Sequence, residues 1–136
     1  MDDVILNKYA IIQRCLMRIR EEYVGHENEL TTNFTRQDSI ILNIQRASQA
    51  ALDLSNRIIR LKQLPVPQES RESFSILSDH SLVSTTLTDS MMKMVGFRNI
   101  AVHEYQKLNL DILKAVIEQH VQDIERFAVE VMKSVD

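Results

Sequence analysis

The segment from position 98 to position 105 carries side chains that could do phosphate chemistry without a metal ion. Arg98, Asn99, His103 and Tyr105 all lie in it. Histidine titrates near neutral pH and can move protons, and the planar arginine fork binds phosphate oxygens. A histidine that deprotonates a ribose 2′-hydroxyl and an arginine that stabilises the phosphorane make a metal-independent ribonuclease. The tyrosine adds a hydroxyl that can hold a phosphate or be modified.

The helical pattern around this segment places Arg98 at a position where an apolar residue is expected. An arginine that points inward needs a partner, because burying an unpaired charge is costly. On spacing alone a purely structural interpretation stays open, in which Arg98 caps carbonyls, His103 ends the helix and Tyr105 packs in the core. The stripe of the predicted helix consists of Leu87, Met91, Met94, Arg98 and Val102.

Arg98 and His103 cannot meet on one straight helix. A separation of five residues turns the two side chains about 140° apart around the helix axis. Either the helix unwinds after Ala101, or a second copy of the chain completes the site. Gly96, just upstream, lowers helix stability and permits another group to approach the backbone closely.

We expect long helices to hold these residues in place. The chain has 136 residues with only two glycines and two prolines, so its connections must be few. We expect one all-α domain over residues 1–136, an up-and-down bundle of four long helices and one short helix. Capping boxes are predicted at Thr35 with Asp38 and at Thr86 with Asp89. The predicted helices are Asp3–Val24, Thr35 to the prolines at 65 and 67, Ser70–Asp79, Thr86 to a break between about Val102 and Leu108, and a last helix that begins at Asn109 as its N-cap.

Apolar residues in the second and last helices recur at steps of three and four, which places them on one face of each helix. His120 lies on the stripe of the last helix, and we expect a core histidine with satisfied hydrogen bonds rather than a catalyst. His26 and His80 lie in predicted loops, where we expect ordinary surface residues. The two stripes are Ile40, Ile44, Ala47, Ala51, Leu54, Ile58 and Leu61, and Leu113, Ile117, His120, Ile124, Phe127 and Val131.

The composition excludes several classes of protein. No apolar run approaches the roughly 18 residues of a membrane span, and the N-terminus is acidic where a signal peptide is basic. Cys15 is the one cysteine, so neither a disulfide framework nor a zinc cluster is expected. We therefore expect a cytoplasmic protein with no metal site and no cofactor.

The net charge of −3 gives no overall footprint for nucleic acid. The second helix is nevertheless locally basic and could present cations to RNA phosphates. A solvated helix face is the alternative interpretation. Its charged residues are Arg36, Arg46, Arg57, Arg60 and Lys62 against Asp38 and Asp53.

The spacing from Arg98 through His103 to Tyr105 matches R-x4-H-x-Y, and by it the chain resembles the HepT-like toxins of the HEPN superfamily. Asn99 fits the polar position that follows the arginine in the wider HEPN motif. The similarity extends to Phe34–Arg46, Pro67–Phe74 and Leu108–Ile112, and it covers nearly the whole chain.

The resemblance implies an α-helical homodimer in which two arginine–histidine motifs face each other across a cleft. It implies an RNA-cleaving toxin of a type VII-like toxin–antitoxin pair, neutralised by MntA, a minimal nucleotidyltransferase that transfers AMP from ATP to the motif tyrosine. Arg98 and His103 would be the catalytic pair, Asn99 a supporting residue and Tyr105 the AMPylated residue. The alternative is a non-catalytic helical partner that binds nucleotide or RNA and regulates a neighbouring nucleotidyltransferase.

Overall fold

The computed structural model describes residues 1–103 and 109–135, with the backbone alone for residues 101–103. Every regular element in these residues is helical. A 3-10 turn covers Glu27–Glu29, and a π-helical turn at Val116–His120 joins the last two helices without a break. The helices are α1 (Asp3–Tyr23), α2 (Phe34–Leu61), α3 (Ser70–Asp79), α4 (Thr85–His103), α5 (Leu110–Ala115) and α6 (Val121–Met132).

The predicted fold class is confirmed. The last two helices and the π turn form one long helix, so the described residues contain four long helices and the short α3. The predicted bounds of α1 and α3 agree with the structure to within one residue at each end. Gly25 follows α1 with a φ of 83°, a left-handed conformation that glycine adopts at no steric cost and that ends the helix.

Of the three helix caps predicted from the sequence, the one at Asn109 is confirmed and those at Thr35 and Thr86 are wrong. Asp2 accepts hydrogen bonds from the N–H groups of Val4 and Ile5, and Asn109 caps α5 as predicted. The second helix begins one residue before the predicted Thr35 and is capped by Asn33, whose side chain accepts from the N–H of Arg36 at 3.0 Å.

The cap of α4 also lies upstream of its predicted position. Ser84 rather than Thr86 accepts the N–H of Leu87, at 3.2 Å. Asparagine and serine are both strong caps, and the path of the preceding loop decides which of several candidates meets a free N–H group. Before α2, Gln37 fixes that path by donating to the carbonyl of Leu30 at 2.9 Å.

Helix α2 lies at the centre of the bundle and packs against α1, α3, α4 and α6. Its ion pairs join the N-terminal end of α1 to the C-terminal half of α2, so these two helices run antiparallel. Lys8 lies 3.2 Å from Asp53, and Asp2 lies 2.7 Å from Arg57. Hydrogen bonding from Arg57 lowers the pKa of Asp2 below its usual value. The pair therefore stabilises the fold above the ordinary carboxyl pKa and is lost as the pH falls through the lowered one.

The core forms where the predicted stripes face each other. Every residue of the α2 stripe is buried except Leu61, which is 45% exposed because the last turn of α2 extends beyond the core. Phe74 of α3 and Phe127 of α6 meet edge to face with ring centroids 5.2 Å apart, and both rings are fully buried. Such contacts add to the burial of apolar area, so this pair ties the short α3 to the bundle.

Within the described residues, no helix is both long enough and apolar enough to cross a bilayer.

We expect Phe74→Ala to lower the free energy of unfolding by about 3–5 kcal/mol, because it removes a buried ring and leaves a cavity. Phe34→Ala is the matched control, since that ring is 68% exposed at the start of α2, and it should change stability by less than about 0.5 kcal/mol. Urea denaturation measures both changes. Equal losses in the two variants would show that the aromatic pair does not anchor α3.

Candidate active site

The C-terminal part of α4 presents Arg98 and Asn99 side by side. Arg98 is half-buried and Asn99 is exposed. The Nη1 atom of Arg98 donates a hydrogen bond to Oε1 of Gln49 on α2, while Nη2 lies 3.5 Å from Oδ1 of Asn99. The prediction that this arginine needs a partner is therefore confirmed, and the partner is a neutral amide.

Gln49 belongs to a series of polar contacts that spans three helices. Its Nε2 donates to Oδ1 of Asp53 at 2.9 Å, and the other carboxylate oxygen of Asp53 lies 3.2 Å from Nζ of Lys8 on α1. Sequence reasoning missed Gln49. The signal available was a glutamine four residues before an aspartate on one helix face, a spacing at which the two side chains meet.

The backbone of α4 is helical through His103, so the alternative in which the helix unwinds directly after Ala101 does not hold. Five residues of continuous helix separate Arg98 from His103, which corresponds to about 140° of rotation about the axis. The alternative in which a second copy of the chain completes the site stays a prediction. The side chain of His103 and all of Tyr105 lie outside the described residues.

Gly96 allows Arg71 of α3 to approach α4 closely. A Cβ atom at this position would lie 3.1 Å from Nη2 of Arg71 on α3, so the glycine lets the guanidinium rest close to the helix. This close approach agrees with the expectation from the sequence. Arg71 itself was not predicted as part of the site, and among the described residues its guanidinium has no ion-pair partner.

The expectation for His120 is wrong. Its side chain is 40% exposed, with Nδ1 at 4.0 Å from Oδ2 of Asp123. The π turn at Val116–His120 places an extra residue in one turn of the helix, and Val121 takes the buried position that regular spacing assigned to the histidine. A π turn has no simple signature in the apolar pattern, which is why the prediction failed.

The other candidates lie away from α4. His26 lies 2.7 Å from the Glu29 carboxylate, and Nδ1 of His80 donates a hydrogen bond to the Ile76 carbonyl. Neither histidine is in the buried core. Burial raises the pKa of the Cys15 thiol, which disfavours the reactive thiolate. Within residues 1–103 and 109–135 no group of three or more histidine, cysteine and acidic side chains could hold a metal ion.

The basic face of α2 is partly neutralised. Arg36 pairs with Glu22 at 3.5 Å, and Arg57 pairs with Asp2. Arg46 is exposed and has no ion pair among the described residues. It lines a groove of about 400 Å³ between α1 and α2, together with Arg14, Met17, Arg18, Glu21, Ser39, Leu42 and Asn43.

Comparison with known proteins relates this architecture to one family. The family model described as ribonuclease HepT-like matches residues 12–131. The chain is 48% identical over 134 residues to the mRNA nuclease HepT of Shewanella oneidensis, a match that covers 98% of this chain and 99% of that protein.

Two solved structures show the same fold at similar identity. One is the tri-AMPylated Shewanella oneidensis HEPN toxin in complex with an MNT antitoxin, with a TM-score of 0.92 and 47% identity over 98% of this chain and 99% of that one. The other is a toxin–antitoxin crystal structure with AMP-PNP, with a TM-score of 0.91 and 46% identity over 96% of this chain and 99% of that one. The family match over most of the sequence, together with an all-helical bundle that carries the arginine of the motif near the end of α4, shows that the chain belongs to the HepT-like ribonuclease family.

Proposed function

We propose that this chain is the toxin of a toxin–antitoxin pair, a ribonuclease that cleaves RNA without a metal ion and is silenced by AMPylation of Tyr105. The observation that carries the proposal is the set of hydrogen-bond partners of Arg98. Among the described residues its guanidinium contacts only the neutral side chains of Gln49 and Asn99. No carboxylate of residues 1–103 and 109–135 pairs with the cation, so its charge is available to an RNA phosphate.

His103 and Arg98 divide the chemistry between them. His103 accepts the proton of the ribose 2′-hydroxyl, and the 2′-oxygen attacks the adjacent phosphorus. The bond from phosphorus to the 5′-oxygen breaks, and this oxygen takes up a proton from water, which leaves a 2′,3′-cyclic phosphate and a 5′-hydroxyl end. Arg98 binds the non-bridging oxygens, where charge accumulates in the transition state. Asn99 supports this arrangement from the next position, with its Oδ1 turned towards the guanidinium.

A second copy of the chain completes the site in this proposal. The helical backbone from Arg98 to His103 turns the two positions away from each other. A two-fold dimer with α4 near its axis brings the arginine of one chain towards the histidine of its partner, and it creates two equivalent sites in one cleft.

A nucleotidyltransferase antitoxin is the proposed partner. The solved relatives include a tri-AMPylated toxin bound to an MNT antitoxin, and Tyr105 is the motif tyrosine of this chain. Transfer of AMP from ATP to its hydroxyl releases pyrophosphate and places a phosphodiester two residues from His103. That negative charge opposes entry of an RNA phosphate, and it offers Arg98 the wrong anion. The named nuclease relative supports this enzyme over a non-catalytic regulatory partner.

The catalytic pair is tested by Arg98→Ala and His103→Ala. Each variant should lower the rate of RNA cleavage in EDTA at least about 100-fold, because one loses the phosphate-stabilising cation and the other the general base. Mass spectrometry of the wild-type products should detect 2′,3′-cyclic phosphate ends. Arg126→Ala is the control, since that arginine side chain is 66% exposed on α6. A folded His103→Ala protein that cleaves RNA at the wild-type rate would overturn the mechanism.

The shared site is tested with heterodimers. Arg98→Ala and His103→Ala chains with different tags are coexpressed, and the mixed dimer is purified through both tags. One of its two sites then contains an unaltered arginine and an unaltered histidine, so we expect about half of the wild-type cleavage rate. A mixed dimer as inactive as each parent dimer would mean that both residues act within one chain. Light scattering should first show a dimer for wild type.

The modification is tested with Tyr105→Phe. This variant should cleave RNA as wild type does, because the proposed chemistry needs no phenol, and it should resist silencing by the antitoxin and ATP. Intact mass measures the AMP added to each protein. Tyr9→Phe, on α1, should still gain AMP and lose activity. If the antitoxin silences Tyr105→Phe fully and no AMP is found on any residue, inhibition occurs by binding alone.

A further inference from the structure

The geometry points to Gln49 as a positioning residue for Arg98, held in turn by Asp53 and Lys8. We propose that this relay of three residues sets the direction of the guanidinium and keeps its charge free for the RNA phosphate. The inference rests on the proposed function, since it takes Arg98 as the group that binds the phosphate.

The relay connects the motif helix to the two helices that form most of the bundle. Gln49 of α2 accepts a hydrogen bond from Arg98 of α4 and donates one to Asp53, with Nε2 and Oδ1 2.9 Å apart. Lys8 of α1 lies 3.2 Å from the remaining oxygen of Asp53. Arg98 and Gln49 are half-buried, so solvent screens these contacts less than it would at a fully exposed surface.

An amide is suited to this place because it has one acceptor end and one donor end and no net charge. Its oxygen faces the guanidinium and its nitrogen faces the carboxylate. A rotation by 180° would bring the amide N–H groups against the arginine N–H groups and its oxygen against the aspartate. Both contacts would then be repulsive, so the cation at one end and the anion at the other fix the orientation of the side chain.

The amide also separates two charges that would otherwise pair. Arginine and carboxylate form strong bidentate contacts, and a direct pair between Arg98 and Asp53 would compete with a phosphate. With Gln49 between them, Asp53 is paired with Lys8 instead. Arg98 uses one N–H group on the amide, and others of its five donors remain for substrate oxygens.

The test compares Gln49→Leu with Gln45→Leu, a change of the same type one turn earlier on α2. Fluorescence anisotropy measures the Kd for a single-stranded 2′-O-methyl RNA, which has no nucleophilic hydroxyl, and an unmodified RNA of the same sequence reports the cleavage rate. Gln49→Leu should weaken binding and slow cleavage about tenfold, the effect of losing one charge-assisted hydrogen bond. Gln45→Leu should stay within about twofold of wild type.

The same Gln49→Leu change is then made in the Arg98→Ala protein. If Gln49 acts only through the arginine, this second change should alter the RNA Kd less than about twofold. An equal loss of binding with and without Arg98 would overturn the relay, because a structural role does not depend on the arginine. An unchanged Gln49→Leu protein alongside an inactive Arg98→Ala protein would reject the relay but leave the proposed function standing. Arg98→Ala that cleaves like wild type would reject the proposed function itself.

Gln49→Glu keeps the proposal testable if the leucine variant does not fold. The new carboxylate has the length of the amide and should pair with Arg98, which withdraws one cation from the substrate. The slope of log Kd against log salt should then become shallower by about 0.7, the contribution of one single-strand phosphate contact. A slope and Kd equal to those of wild type would overturn the relay.

Discussion

A guanidinium bound by an amide instead of a carboxylate is the contact on which the site depends. Burying a cation is costly, and proteins usually offset that cost with an anion. Here the half-buried Arg98 donates a hydrogen bond to the side-chain oxygen of Gln49. Asp53, the acid of the proposed relay, is paired with Lys8. The site therefore keeps one cation whose charge is not cancelled within the described residues.

The position of α2 makes this arrangement possible. The helix contacts α1, α3, α4 and α6. Its Asp53 can therefore pair with Lys8 of α1, while its Gln49 contacts Arg98 of α4. Its ion pairs with α1 fix the antiparallel register of the two helices. A shift of one turn between α1 and α2 would separate Lys8 from Asp53, which would leave the carboxylate unpaired beside Gln49. The packing of the bundle and the charge state of the site are thus coupled.

The continuity of α4 is the reason that the proposed site needs two chains. A helix that broke after Ala101 could fold His103 back towards Arg98, but the helical backbone runs through position 103. Positions five residues apart on a helix diverge by about 140°. The regular helix keeps the two positions from converging within one chain, and in the proposed dimer a two-fold partner brings an arginine and a histidine together without distorting the backbone.

The fold class, most helix bounds and the residue types of the motif follow from the amino-acid sequence. Apolar residues at steps of three and four depend only on local geometry, as does the capping by Asn109, and these features were predicted correctly. The similarity of the motif residues to those of HepT-like proteins was also visible in the sequence, and it agrees with the family match.

The contacts between helices, in contrast, depend on how the helices pack. Gln49 is an ordinary glutamine in the sequence, and its role is visible only when α2 and α4 are packed together. The same holds for Arg71 beside Gly96. The π turn before Val121 moved His120 out of the core against the expected spacing. The first two cases are contacts between residues far apart in the chain, and the third is a local change in the helical period. Local periodicity carries no information about such contacts, because they are fixed by the packing of whole helices.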